Sequence, residues 1–431
     1  MKNIYRSVAY FGLMIGMSFA GPAIAGSVAD FYSGNTITLY IGYSAGGGYD
    51  AYGRTVARHM GKHIPGNPNI VAKNRPGAGS LVLANEVGNV LPKDGSAIAI
   101  IGLAQVLEPL YGNKKAMFNP REFNWLGSAN NEVSVCVAWH ETPVSSVDDM
   151  KTRGMIVGGT GPGADTDSFP RVLNNILDTK LRLVTGYPGG NDILLAMERG
   201  EVEGRCGYSY SSLKSRKAAW LKDGKVRILL QMSTAKHPEM PDVPFVMDLA
   251  ESDRDREILT MVYSAQAMGR PFVAPPGVPA DRVKALQDAF EATMNDPEFL
   301  ADTGKQKLAV AAISGPAIQA LVAGMYAQPQ ELIDAAKDAK SNAANLKITK
   351  VAISFQVDMG EITKIKKGGR TISYSMSGGK SQTVSISGSR TSVKIAGQKE
   401  SRKNLKLGMN CEVTYPEGAE GKIEAKEVSC K

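Results

Sequence analysis

Beyond its first 25 residues this 431-residue chain has no apolar run approaching the roughly 18 residues that cross a bilayer. No membrane-spanning helix is therefore expected in the remainder. No Cys-x-x-Cys pair occurs, which removes the usual signature of zinc ribbons and thioredoxin-like redox sites. Neither a metal nor a cofactor is expected. Histidine is scarce: His59, His63, His140 and His237 are the whole set, and none sits in an evident triad setting. Net charge is also lacking over most of the chain. Residues 1–346 hold 34 Lys and Arg against 34 Asp and Glu, while residues 347–431 hold 16 against 8 and carry the entire formal excess of +8. A neutral body argues against a nucleic-acid partner.

What is present begins with a leader. Lys2 and Arg6, the apolar stretch from Val8 to Ala20 and the small residues Ala23-Ile24-Ala25 read as a secretory signal peptide covering residues 1–25. The first cysteine is Cys136, so a bound lipid is not expected. The mature protein should be soluble and periplasmic. Export permits disulfides. Cys411 and Cys430 would close a loop of about 19 residues and are expected to be bonded. Cys136 with Cys206 completes one of the three pairings that four cysteines allow.

From Asn35 to about Ser233 apolar strands alternate with helical patterns. Strands are expected at Thr36–Gly42, Asn69–Lys73, Ala97–Leu103, Ser134–Trp139, Met155–Gly158, Leu181–Thr185 and Val226–Met232. Helices are expected at Asp50–His63, Ser80–Val90, Thr166–Leu177, Asn191–Glu198 and Ser212–Leu221. Alternation of this kind implies a doubly wound α/β architecture, and continuous apolar runs suit parallel strands buried on both faces. From Asp253 the pattern turns helical, with Asp281–Met294, Pro297–Lys305 and Pro316–Lys340. After a linker at Ser341–Asn345, residues 347–431 alternate in short strands between glycine turns and predict a small β-barrel-like domain of five or so strands.

Glycine-rich turns are the chemistry-bearing feature. Ile37 to Arg54 reads as a strand, a turn holding Gly46, Gly47 and Gly48, and a helix opened by Asp50. Glycine admits positive φ and close approach of a ligand, and a helix start offers unpaired N–H groups and a positive dipole end. Similar turns follow later strands, at Asn74–Ser80, Ile101–Gln105, Gly158–Ala164 and Tyr187–Asp192. Ligands of open α/β sheets bind outside the carboxyl ends of the strands. Two such edges facing across a hinge would form a clamshell cleft for a small anion.

Three motifs compete with that reading. Gly42-x-Ser44-x-Gly46 matches a nucleophile elbow and gives the alternative of an exported serine hydrolase using Ser44. Its strand is the first of the mature chain, so no upstream loop supplies an oxyanion partner. Gly159-x-Gly161-x-x-Ala164 fits a loose dinucleotide fingerprint, but the next strand ends in Gly186-Tyr187 rather than an acidic residue. His59-x-x-x-His63 has Met60 where a zinc protease needs Glu, and reads as a solvated helix face.

Taken in order, ITLYIGYSAGGGYDAYGRTVAR, VAKNRPGAGS, LPKDGSAIAIIG, GRPFVAPPGVPADRVKALQDAF and NDPEFLAD resemble the TctC or Bug-type substrate-binding receptors of tripartite tricarboxylate transporters. The likeness covers about Asn35 to Ala344 and leaves the C-terminal β-domain unassigned. It implies a two-lobed, Venus-flytrap periplasmic binding protein that is not an enzyme. Such a receptor captures a di- or tricarboxylate or an aromatic acid and delivers it to membrane permease subunits. It also implies ligand contacts in the loop Tyr43–Asp50 and in the opposing loop Thr160–Ser168. The common first loop carries Phe and Pro before its glycines, where this chain has Tyr43-Ser44-Ala45.

The expected contacts are Ser44, Gly47, Gly48, Asp50, Gly79, Ser80, Gln105, Gly161, Ala164 and Asp165, with Tyr43, Tyr49 and Tyr208 as walls. Asp50, Asp165 and Asp167 each open a predicted helix and are read as caps rather than cleft groups. Tyr208 and Tyr210 fit either a cleft wall or the core of an internal strand. Lobe 1 is expected at 27–130 plus 264–346, lobe 2 at 131–263, and the molecule is expected to act as a monomer.

Overall fold

Burial alternates along Thr36–Ile41, which puts Ile37, Leu39 and Ile41 inside and makes this segment (β1) a sheet strand with one face against the Gly48–His59 helix. The computed structural model describes residues 27–342, 346–351, 355–376, 378–387, 391–416 and 423–431. The expected signal peptide and residues 343–345 of the expected linker lie outside them.

From β1 the chain lays down β2 (Asn69–Asn74), β3 (Ala97–Ile100) and β4 (Asn124–Ser128). It then crosses to a second sheet for β5 (Ser134–Trp139), β6 (Met155–Gly159), β7 (Leu181–Thr185), β8 (Gly204–Ser209) and β9 (Val226–Met232). It returns for β10 (Pro271–Ala274) and β11 (Ile313–Ser314). The first sheet is ordered β11-β4-β10-β3-β1-β2. The second sheet takes in β12 (Ile348–Lys350) and is ordered β12-β7-β6-β8-β5-β9.

Three expectations change here. β5 and β9 are apolar enough for parallel strands, yet β5 runs antiparallel to both β8 and β9. It is reached by direct crossover from the first sheet, with no helix to return the chain to the same direction. The single helix expected at Pro316–Lys340 is two, Gly315–Tyr326 and Gln330–Ser341, divided by Pro329, whose ring favours a helix start over a helix interior. The third change is a third crossing. After the Gln330–Ser341 helix, β12 pairs parallel with β7, register Ile348↔Leu183 to Lys350↔Thr185.

The first two crossovers touch. Glu132 N–H donates to Gln266 O at 2.9 Å, Gly269 N–H donates to Asn130 O at 2.9 Å, and Gln266 Nε2 donates to Ser134 Oγ at 3.0 Å. Both connections therefore form one hydrogen-bonded unit between the sheets.

Among the described residues the third sheet has eight strands rather than the expected five or so. Its long strand Phe355–Lys366 pairs antiparallel with Thr371–Met376 and with Asn410–Pro416. Ile423–Glu424 pairs with Ser381–Ser385, and Glu427–Cys430 then pairs with Asn410–Pro416 and Ser392–Ile395. One short segment thus runs from the strand at one end of the sheet to the third strand from the other end, and the sheet curls around Ile362, Ile372, Tyr374, Val413 and Val428. Cys411 and Cys430 face each other in register and are disulfide-bonded, as are Cys136 on β5 and Cys206 on β8.

Candidate ligand site between the lobes

Three strands run through glycine turns into helices at the facing edges of the two large sheets. β1 leads into Gly48–His59, β6 into Asp165–Leu177 and β7 into Gly190–Glu198. Their N-cap residues are Gly47, Ala164 and Gly189, and none of the three helices has a side-chain cap hydrogen bond. No N-cap side chain therefore covers the first N–H groups or the positive dipole ends, although the Asp165 carboxylate takes Thr166 N–H at the second of the three helices. Gly47 and Gly48, Asp165 and Thr166, and Gly190 and Asn191 all line one cavity of about 40 Å³. That is room for roughly three waters at about 10–15 Å³ each.

Aromatic rings wall the cavity. Tyr43 and Tyr49 stack with centroids 4.6 Å apart. Burial pushes the Tyr49 hydroxyl up to about 12 and Tyr43 well above its usual range. Tyr208 is also part of the wall, and Arg205 lies over its ring at 4.3 Å. Strict alternation along β8 would send residues three apart to opposite faces. A bulge corrects this: Tyr208 pairs with Val135 and Arg205 with Val137, so three steps on β8 oppose two on β5. Gly207 makes the bulge with φ +76°, and a Cβ there would lie 2.8 Å from the Asp165 carbonyl carbon.

Arginines supply the charge. Arg205 Nη1 donates to Gly190 O at 3.3 Å, but its Nε is buried without a partner. Burial lowers the Arg205 pKa. Arg216, at the end of the Tyr210–Arg216 helix, also lines the cavity with a buried, unpartnered Nε. Arg270 Nε is likewise buried without a partner, but its charge is met: the guanidinium lies 3.1 Å from Glu132 and donates to Ser212 Oγ at 2.9 Å. Glu132 holds its pKa up against burial, which pulls it down. Asp165 is the acidic wall. Its Oδ1 accepts from Thr166 N–H at 2.8 Å, and burial raises its pKa to about 6 although Arg205 and Arg270 pull the other way.

The expected site residues divide into two groups. Tyr43, Gly47, Gly48, Tyr49, Asp165 and Tyr208 line the cavity. The others brace or join the loops. Asp50 accepts from Gly46 N–H at 2.9 Å, Arg54 Nε at 2.8 Å and Asn74 Nδ2 at 2.7 Å. Ser80 Oγ accepts from Gly102 N–H at 3.0 Å, and Asp167 accepts from Gly161 N–H at 2.8 Å. Ser44 Oγ donates across the cleft to Asp192 Oδ2 at 3.0 Å. Gln105 Nε2 donates to Gly79 O at 2.8 Å and, across the cleft, to Gly163 O at 3.1 Å. Gly79 (φ +65°) lies against Ala164, where a Cβ would approach to 2.7 Å. These contacts describe a closed cleft. Arg205, Arg216 and Arg270 were not among the expected residues.

The Ser44 hydroxyl meets a carboxylate rather than an imidazole. His59 and His63 pair instead with Asp302 and Asp296, each at 3.0 Å. A larger groove of about 1330 Å³ lies among the helices Asp253–Tyr263, Gly315–Tyr326 and Gln330–Ser341. Met261, Leu321 and Met325 line it under a rim of mixed charge, and none of the convergent donors described above reaches it.

The fold is that of the two-lobed periplasmic binding proteins. The periplasmic binding protein BugD aligns with a TM-score of 0.57 at 20% identity, over 71% of this chain and 98% of its own. MatC from Rhodopseudomonas palustris, solved with bound malate, aligns at 0.55 and 19% identity over 71% and 99%. An R. palustris protein solved with adipate aligns at 0.55 and 16% identity over 70% and 97%.

The chain belongs to the tripartite tricarboxylate transporter family receptors, whose family model matches residues 53–337. The "UPF0065 protein in gbd 5'region" of Cupriavidus necator is 25% identical over 284 residues, 63% of this chain and 78% of that protein. A relative from Agrobacterium vitis is 25% identical over 277 residues, 62% of this chain and 74% of its own length. The third sheet lies beyond the family match. Among the described residues no helix is long and apolar enough to cross a membrane.

Proposed function

We propose that this protein is exported by residues 1–25, captures a small carboxylate between its lobes, and hands it to the permease subunits of a tripartite tricarboxylate-type transporter. It acts as a monomer and catalyses no reaction. Lobe 1 comprises residues 27–130 and 264–346, lobe 2 comprises 131–263 joined by the edge strand β12, and the rest of 347–431 forms a separate C-terminal unit. The observation that carries the reading is the meeting of three helix N-termini without N-cap side-chain bonds, from both sides of the cleft, in one cavity. Backbone N–H groups at such ends bind carboxylates without a formal charge of their own. Ligand is gripped by the backbone N–H groups of Gly47, Gly48, Asp165 and their neighbours, while Ser44 and Gln105 hold the lobes shut around it.

Opening at the paired crossovers admits the ligand, and its affinity for the closed form sets the population of that form. Malate and adipate in two structural neighbours are consistent with this ligand class. Calorimetric titration with di- and tricarboxylates and aromatic acids tests the reading. Saturable binding of at least one class is expected. An absence of binding throughout refutes it.

A further inference from the structure

We infer that the third sheet carries a membrane-surface site, a basic corner with one exposed leucine that seats on a bilayer of anionic phospholipid headgroups. This goes beyond ligand capture and does not depend on it.

Charge is the first observation. Residues 366–370 and 401–407 hold six Lys and Arg and no Asp or Glu. Folding brings the two stretches together. Residues 366–370 turn the strand Phe355–Lys366 into Thr371–Met376, and the space beside Gly369 is filled by Arg402, whose carbonyl a Cβ there would overlap. Lys366, Lys367, Arg370, Lys403 and Lys406 are exposed. Among the described residues none of the six cations forms an ion pair, whereas Lys394 on the same sheet meets Glu427 at 3.0 Å. Glu400, just ahead of the second stretch, is held by Asn404 Nδ2 at 2.7 Å. Arg402 Nε is buried with no partner. Like charges gathered this way repel, and a counter-charge from outside relieves the repulsion.

An apolar tip decides which counter-charge fits. Leu405 is buried and Met409 packs on the same core, but Leu407 between them is 64% exposed. Its loop is fixed: Lys406 N–H donates to Met409 Sδ at 3.4 Å, Gly408 N–H to Ile362 O at 3.0 Å, and Ile362 N–H to Met409 O at 2.9 Å. A soluble polyanion gains nothing from a leucine held outward amid lysines. A lipid interface does, because headgroup phosphates take the cations while the leucine enters the acyl boundary. Val357 and Met359 are also exposed, but they lie further back along the long strand with Glu361 and Glu412 beside them, outside the corner.

The test is sedimentation of the full mature chain with vesicles of phosphatidylglycerol mixed into phosphatidylcholine, beside vesicles of phosphatidylcholine alone. Binding to the anionic vesicles only is expected, and it should vanish in ~1 M salt, where the Debye length is about 3 Å. Lys367→Gln, Lys403→Gln and Lys406→Gln should each weaken it about fivefold, the worth of one cation at an anionic surface. Lys403→Arg should bind as the wild type does, which separates lost charge from lost packing. Leu407→Asn leaves the charge intact and should weaken vesicle binding about tenfold. The same variant should bind dextran sulfate, a soluble polyanion, no worse than the wild type. An absence of binding to anionic vesicles at low salt, or binding that the folded Lys→Gln variants retain in full, overturns the inference. Vesicle binding unaffected by Leu407→Asn also overturns it and makes the corner a site for soluble polyanions.

Discussion

Arg270 and Glu132 form an ion pair of 3.1 Å, with side chains 1% and 2% exposed, where the first two crossovers between the lobes touch. Arg270 follows the second crossover and Glu132 lies in the first. Ser211 and Ser212, at the start of the Tyr210–Arg216 helix, complete the cluster. One pair of charges thus ties together both connections and the second lobe. Removing either partner strands the other in a dry site. Glu132→Gln or Arg270→Met should each cost about 3–5 kcal/mol in denaturant unfolding. The double variant should lose less than the sum, because neither charge is then left alone.

Ser44 and Gln105 should behave as clasps. Each donates a hydrogen bond across the cleft, to Asp192 and to the Gly163 carbonyl. Ser44→Ala and Gln105→Ala should each weaken ligand binding about five- to tenfold, the value of roughly one hydrogen bond. The loss should appear in the dissociation rate, and small-angle scattering should show a more open ligand-free molecule. An unchanged dissociation rate would count against the clasp.

Acidity should act through Asp165. Burial in the closed cleft raises its carboxyl to about 6 from 3.8. A raised acid favours the folded, closed form below the ordinary pKa, and that advantage is lost as pH rises through about 6. Ionised, Asp165 also repels an anion. Carboxylate affinity should therefore fall between pH 5 and pH 7.5. Asp165→Asn should flatten this dependence and raise the melting temperature more at pH 7.5 than at pH 5. A wild-type pH profile retained in the variant contradicts the assignment.

Gly207 offers a test of the bulge. Its φ of +76° and its contact with the Asp165 backbone leave no place for a side chain. Gly207→Val should destabilise by at least about 1–3 kcal/mol and weaken ligand binding, since Arg205 and Tyr208 lose their common face. Thermal melts and titration together check it.

The sequence reveals the strand–glycine–helix units well, because each is local: an apolar run, a turn with several glycines, and an amphipathic stretch. Tyr43, Gly47, Gly48, Tyr49 and Asp165 line the cavity for that reason. Arg205 is hidden because alternation places it opposite Tyr208, and only a bulge set by pairing with β5 reverses this. Arg270 reads as one more charged residue until its partner Glu132, far away in sequence, is brought beside it. Ser44 and Gln105 look like ligand contacts because polar side chains in cleft loops usually serve a ligand. That each reaches the opposite lobe depends on closure, which no local pattern encodes. The third crossing is equally silent, since β12 is three exposed residues recruited by the edge of β7.

Ligand-dependent melting is the most direct check on the central claim, because a molecule bound only by the native protein stabilises it by mass action. With succinate, malate, adipate, citrate and benzoate supplied in large excess at pH 6, at least one should raise the melting temperature by several degrees in a concentration-dependent way. A melting temperature that none of these acids moves would contradict capture of a small carboxylate between the lobes.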